Sequence, residues 1–171
     1  MLSARRLELV VAASVVVLDQ ITKALLRPRL TLHQSVEVIP GFLDLTRVHN
    51  TGAAFGMLNG VDFPLKTLVL SGVALIALGG VAWYAATVPV TDRLARIGVA
   101  GVLGGAIGNL IDRATVGYVL DFVDAYWGAW HFWAFNVADA AITVGVIFMI
   151  LDMLGLGRRL NGQISNASNP V

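Results

Sequence analysis

The stretch FNVADAAITVGVIFMIL, from Phe135 to Leu151, decides how the rest of the chain is interpreted. It is almost wholly apolar and long enough for most of a membrane span, yet it begins with Asn136 and carries Asp139. An ionised carboxylate near hydrocarbon costs about 2.5–3.5 kcal/mol on insertion scales. The stretch therefore predicts a membrane helix, and it raises the question of what Asp139 does at the N-terminal end of that helix.

The composition of the 171-residue chain is that of a membrane protein. The chain is 57% hydrophobic and 13% charged, whereas a soluble domain is about 45–50% apolar and about 25% charged. The net charge of +1 gives no indication of a nucleic-acid partner. The absence of Cys excludes thiolate catalysis, Cys-ligated metal sites and disulfides.

Four apolar segments can each cross a bilayer, since a helix needs about 20 residues to span about 30 Å. The segments cover about residues 7–26, 65–87, 94–111 and 137–154. The first lacks a small-residue cleavage site and is interpreted as a retained signal-anchor. The sequence thus predicts an all-α membrane protein with four transmembrane helices. Residues 1–157 form its single membrane domain, and residues 158–171 form a polar cytoplasmic tail.

The connections between the spans are unequal, and they indicate an orientation. Outer loops are expected at residues 28–64 and 112–136. Lys and Arg divide evenly between the two sides, but they are densest in the chain ends and the short second connection, which the positive-inside rule makes cytoplasmic. Apolar residues alternate with polar ones around Pro40-Gly41, which predicts a small β-rich region between spans one and two.

The third span is rich in glycine at helical spacing. Gly101 and Gly105, and likewise Gly104 and Gly108, form small-xxx-small pairs. Such pairs let two helix backbones approach closely in lipid. The glycines therefore predict close helix packing.

Polar residues in or beside apolar sequence converge on the outer face of this arrangement. Each has a structural explanation on its own: Asp19 can pair with Lys23 at i,i+4, and Asn136 can cap a helix. Two facing carboxylates can also share a proton, because adjacent like charges resist ionising together. The ionised member can then accept a proton from water while the other donates to a carbonyl oxygen. The candidates for such chemistry are Asp19, Asp112, Asp121, Asp124 and Asp139.

Other chemistries fit the sequence less well. His33, His49 and His131 lie in loops without an HExxH motif, which argues against a zinc hydrolase, and no GxSxG motif is present. A small proton-coupled membrane transporter stays open as an alternative, because intramembrane acids often mark proton relays. A transporter would more typically carry such acids at mid-span or show repeated halves. A non-catalytic membrane assembly factor would need none of the acids.

Five short motifs occur in order along the chain: DQITK (Asp19–Lys23), HNTGAAFG (His49–Gly56), GGAIGNLIDR (Gly104–Arg113), VLDF (Val119–Phe122) and FNVAD (Phe135–Asp139). In these motifs, in length and in the four-span plan, nearly the whole chain resembles the bacterial lipoprotein signal peptidases, or type II signal peptidases. The resemblance implies an intramembrane aspartic endopeptidase whose catalytic dyad is Asp121 and Asp139. The residues alone could not choose Asp121 over Asp112 or Asp124.

The resemblance also implies the surroundings of the dyad, the substrate and the location. Orienting or substrate-binding roles fall to Asp19, Lys23, Asn50, Gly52, Ala54, Asn109, Asp112, Arg113 and Asn136. The implied substrate is a prolipoprotein that carries a diacylglyceryl Cys and is cut on the amino side of that Cys. The implied site lies near the extracytoplasmic face of the bacterial inner membrane, with both chain ends cytoplasmic. We expect no metal, no other cofactor, contact with membrane lipids, and a monomer.

Overall fold

The structure is a computed structural model that describes residues 4–52, 57–58, 60–61 and 63–155. These residues form four helices and a four-stranded antiparallel sheet. In chain order the elements are α1 (Ala4–Leu26), β1 (Ser35–Ile39), β2 (Leu43–Asn50), α2 (Lys66–Thr87), α3 (Arg93–Val116), β3 (Val119–Trp127), β4 (Trp130–His131) and α4 (Val137–Met153).

Helix α3 lies at the centre of the helices and packs against α1, α2 and α4. Its glycines allow this close packing. A Cβ atom at Gly101 would lie 3.0 Å from the carbonyl oxygen of Ala141 on α4, and one at Gly104 would lie 2.7 Å from that of Ala12 on α1. The predicted role of the small residues in helix packing is therefore confirmed.

In contrast to a water-soluble protein, the helices expose apolar side chains and bury charged ones. Apolar side chains on the outer helix surfaces are exposed, including Leu9 at 71%, Ile76 at 79% and Trp83 at 75%. In contrast, Asp19 and Lys23 on α1 are 0% and 1% exposed. In soluble domains, Lys and Asp are almost never fully buried unless they are paired. The apolar outer surface of the helices is suited to contact with lipid hydrocarbon. The buried charged groups require partners of opposite charge or hydrogen-bonding partners.

Three of the described helices are long and apolar enough to cross a membrane, namely Arg5–Leu26, Lys66–Thr87 and Arg93–Val116. Helix α4 is shorter, with 17 residues. Helix α3 continues to Val116, past the predicted end at residue 111, and it ends at Gly117 with φ 82°. Asp112 and Arg113 therefore lie in the last turns of α3, which corrects their predicted place in the outer loop.

The sheet is larger than the sequence predicted, because both outer connections contribute strands. Its order is β1-β2-β3-β4. Strand β3 pairs with β2 between Val48 and Asp121 and between Asn50 and Val119. The prediction confined strands to the first connection. It missed β3 because VLDFVDAYW, near the end of a helix, shows no clean alternation of polar and apolar residues.

Candidate active site

Asp121 lies on β3 and is 2% exposed. Its two carboxylate oxygens accept hydrogen bonds from two amide side chains. Asn50, the last residue of β2, donates from Nδ2 to Oδ2 at 3.0 Å. Asn136 donates from Nδ2 to Oδ1 at 2.7 Å. The pairing of β2 with β3 therefore brings the HNTGAAFG and VLDF motifs together around this carboxylate.

Asp139 lies in the first turn of α4 and is half-buried. Asn136 caps this helix: its Oδ1 accepts from the Asp139 backbone N–H at 2.9 Å. The Asp139 Oδ2 accepts in return from the Asn136 backbone N–H at 3.3 Å, which completes a capping box. The other oxygen, Oδ1, accepts from Asn109 Nδ2 on α3 at 2.8 Å.

Asn136 joins the two carboxylates. Its side-chain amide donates to Asp121 and its backbone N–H donates to Asp139. Asn136 is 0% exposed, so this bridge lies out of water. The side chain that forms the cap allowed by the sequence is therefore also the one that contacts Asp121.

Burial and, to a smaller extent, the negative charge of Asp139 raise the pKa of Asp121 from 3.8 to about 7. The hydrogen bonds from Asn50 and Asn136 and the charge of Lys23 act in the opposite direction. A carboxyl with this pKa retains a proton near neutral pH. One member of a close pair of acids can then be protonated while the other is ionised.

A buried ion cluster lies beside the pair. Lys23 Nζ is 2.8 Å from Asp19 Oδ2 and 3.0 Å from Asp112 Oδ2. Asp19 Oδ1 accepts from the backbone N–H of Ala138, and Asp112 Oδ2 accepts from that of Leu120. The cluster therefore ties α1 and α3 to the residues that immediately precede Asp139 and Asp121.

The HNTGAAFG loop adds a further set of polar contacts. The Asn50 Oδ1 accepts from the backbone N–H of Gly52 at 2.9 Å. The Gly52 carbonyl accepts from the guanidinium of Arg113 at 2.9 Å. Ala54, which the sequence placed in the same loop, lies outside the described residues.

Comparisons with known proteins identify the family of this chain. The sequence model of the family described as Signal peptidase (SPase) II matches residues 11–155. The chain belongs to the signal peptidase II family.

Relatives and solved structures support the assignment over most of the chain. A lipoprotein signal peptidase of Syntrophus aciditrophicus is 44% identical over 85% of this chain and 91% of its own length. One of Symbiobacterium thermophilum is 44% identical over 90% of this chain and 97% of its own. A solved bacterial membrane enzyme superposes with a TM-score of 0.74 at 32% identity, covering 86% of this chain and 87% of that one.

Membership of the signal peptidase II family makes the protein a peptidase and a membrane enzyme, and confirms the resemblance found in the motifs. It favours the peptidase over the proton-coupled transporter that the sequence left open. It also fits the chemistry of the site, since two acids can hydrolyse an amide without a metal. Among the described residues, no group of three or more His, Cys, Asp or Glu side chains could hold a metal ion.

In this signal peptidase II, the contacts of Asp112, Asp121 and Asp124 differ, whereas the sequence could not rank these three acids as partners of Asp139. Asp112 binds Lys23 and the Leu120 N–H through Oδ2 and Arg27 through Oδ1, so both of its oxygens are occupied. Asp124 lies further along β3, where its carboxylate is 2.9 Å from His131 Nδ1 on the exposed hairpin. Asp121 is the acid that shares Asn136 with Asp139.

Three further polar residues support the site and were missed in the sequence. Gln20 Nε2 donates to Asp19 Oδ2 at 3.1 Å, and Arg27 lies 3.3 Å from Asp112 Oδ1. Lys66, 6% exposed, donates to Thr51 Oγ1 in the HNTGAAFG motif. Arg27 could have been found, because it follows Lys23 by four residues, directly after the end of α1.

Proposed function

We propose that this signal peptidase II is an intramembrane aspartic endopeptidase with Asp121 and Asp139 as its catalytic dyad. One observation carries the proposal: the two carboxylates, from a strand and a helix far apart in sequence, both bind Asn136 in a buried cluster. A purely structural cap would need one of these acids. The second acid, held with a pKa of about 7, is what a proton-sharing pair requires.

The dyad would hydrolyse a peptide bond by general acid–base catalysis. The ionised carboxylate removes a proton from water as the water oxygen attacks the carbonyl carbon. The protonated carboxyl, Asp121, donates to the carbonyl oxygen, and a tetrahedral intermediate forms. As this intermediate collapses, the C–N bond breaks and the leaving nitrogen takes the proton that Asp139 removed from water. One hydroxyl of the intermediate returns its proton to Asp121 as the carbonyl group of the acid product forms. The pair is then ready for another cycle.

The substrate would be a prolipoprotein that carries a diacylglyceryl Cys, cut on the amino side of that Cys. The relatives are named lipoprotein signal peptidases, which supports this class of substrate. Asn50, Gly52 and Arg113 form a polar edge beside Asp121, suited to hold a peptide backbone. The resemblance to the family implies an orienting or substrate-binding role for Ala54 as well.

The four helices would span the bacterial inner membrane as a multi-pass bundle within residues 1–157, with both chain ends cytoplasmic. A 17-residue α4 is about 26 Å long at 1.5 Å per residue, close to the hydrocarbon thickness of about 30 Å. The dyad would then lie near the extracytoplasmic face, where the lipid anchor of the substrate sits. We expect a monomer, and the exposed apolar side chains of the helices support contact with membrane lipids.

The experiment is cleavage of a purified diacylglyceryl prolipoprotein in detergent. Asp121→Asn and Asp139→Asn should each abolish turnover while remaining folded, because an amide cannot cycle a proton. Asp124→Asn is the matched control, since this acid lies on the same strand outside the site. Near wild-type turnover by either dyad variant would remove that residue from the mechanism.

A further inference from the structure

Lys23 is a buried charged residue to which the proposed reaction gives no step. It is 1% exposed. Its ammonium group has three N–H donors, and three acceptors surround it: Asp19 Oδ2 at 2.8 Å, Asp112 Oδ2 at 3.0 Å and Asn109 Oδ1 at 3.1 Å. The first two contacts neutralise its charge. The third binds a neutral amide that touches the dyad.

The contact with Asn109 fixes which way that amide faces. Asn109 Oδ1 accepts from Lys23 Nζ and from Asn136 Nδ2 at 3.2 Å. If the amide were reversed, its NH₂ group would face an ammonium and a second NH₂ group, and both contacts would be repulsive. The Nδ2 atom must therefore point the other way, where it donates to Asp139 Oδ1 at 2.8 Å.

We propose that Lys23 is a positioning residue that acts on Asp139 through Asn109. It touches no reacting atom, yet its ammonium, together with Asn136 Nδ2, fixes the Asn109 amide so that Asp139 faces a hydrogen-bond donor rather than an acceptor. The inference rests on the proposed function of Asp139 as a member of the dyad. It separates this role of Lys23 from the simpler one of neutralising two buried acids.

The charges around Lys23 give the role a measurable signature. The charged groups that act in this region are Asp19 on α1, Arg27 directly after α1, Asp112 and Arg113 on α3, Asp121 on β3 and Asp139 on α4. Lys23 and Arg27 balance Asp19 and Asp112. Removing the Lys23 charge leaves an unbalanced negative charge beside the dyad, which favours its protonated form. The acid limb of the kcat profile should then move to higher pH.

The test uses Lys23→Met and the double variant Lys23→Met/Asp112→Asn, each in the full chain and assayed on lipidated substrate. The double variant removes one charge of each sign, so the charge balance is kept while the donor to Asn109 is lost. We expect kcat at least tenfold lower in Lys23→Met than in wild type. We expect a similar loss in the double variant relative to Asp112→Asn alone. KM should stay within about twofold, because the substrate-binding edge is untouched. The acid limb of the kcat–pH profile should move to higher pH in Lys23→Met but not in the double variant.

Arg96→Met is the matched control. Arg96 is also a buried base, 8% exposed, which pairs with Glu8 and binds the Val88 carbonyl at the far end of α3. This variant should lower the melting temperature while leaving kcat and the acid limb unchanged.

Two results would overturn the inference: a double variant with the kcat of Asp112→Asn, or a folded Lys23→Met with wild-type kcat and acid limb. If Lys23→Met fails to fold, the comparison of the double variant with Asp112→Asn tests the inference by itself. Wild-type protein that does not cleave the substrate would instead refute the proposed function.

Discussion

Replacing Asn136 with Ala should damage stability and catalysis together, by amounts that can be worked out from its contacts. The side chain accepts from the Asp139 backbone N–H as the cap of α4. It also donates to Asp121 Oδ1 at 2.7 Å, to Asn109 Oδ1 at 3.2 Å and to the Leu120 carbonyl at 3.3 Å. All of these contacts are lost in Asn136→Ala, and the partners stay buried.

The loss of the cap should cost about 1 kcal/mol of the free energy of unfolding. The buried acceptors that lose a donor should add about 1–3 kcal/mol. At about 2–4 °C per kcal/mol for a domain of this size, the melting temperature should fall by about 4–16 °C. A buried acceptor left without its donor costs about 1–3 kcal/mol, so the loss of this hydrogen bond from Asp121 should lower kcat by roughly 5- to 150-fold.

Asn136→Ser separates the two effects. Serine supplies a capping oxygen, but its side chain is too short to replace the amide donor to Asp121. We expect this variant to recover about 1 kcal/mol of stability relative to Ala while keeping the same loss of kcat. The assays are thermal unfolding in detergent and cleavage of lipidated substrate. If Asn136→Ala retains more than half of wild-type kcat, or if Ser restores it, Asn136 does not organise the dyad.

Three other predictions follow from the same structure. Because the pKa of Asp121 is raised from 3.8 to about 7, the folded state keeps a proton that the unfolded chain releases, so stability should fall as pH rises from about 4 to about 7. Turnover should fall above that pH as the donor proton is lost, and Asp121→Asn should flatten the stability profile. Gly105→Ala should lower the melting temperature, because its Cβ would overlap the Ala138 carbonyl, whereas Gly79→Ala, with open space around it, should not. Gly52→Val should raise KM for lipidated substrate without changing the melting temperature, and wild-type kinetics would make that loop only a connector.

The helices and the chemistry of the site could be predicted from the sequence. Apolar segments of span length are a local property, and α1 and α2 begin and end within a few residues of their predicted bounds. The Gly-rich third span predicted close packing because a missing Cβ is visible in the sequence itself. The acids could also be recognised as candidates, because a carboxylate in apolar surroundings is costly wherever the chain folds.

The ranking of those acids was decided by tertiary structure. Asp112, Asp121 and Asp124 are close in sequence, and nothing local distinguishes them. Their contacts depend on the fold: Asp112 binds Lys23, and Asp121 binds Asn50 and Asn136. Asp124 instead contacts His131 within the β3–β4 hairpin.

The strand β3, which shows no clean alternation in the sequence, also depends on tertiary structure. A strand is stabilised by pairing with another strand, and the partner of β3 is β2, which lies before two intervening helices. The sequence therefore determined which groups are available. Only the packing of β2, α1 and α3 around Asn136 decided which two carboxylates meet, because burial and hydrogen bonding are properties of the assembled fold.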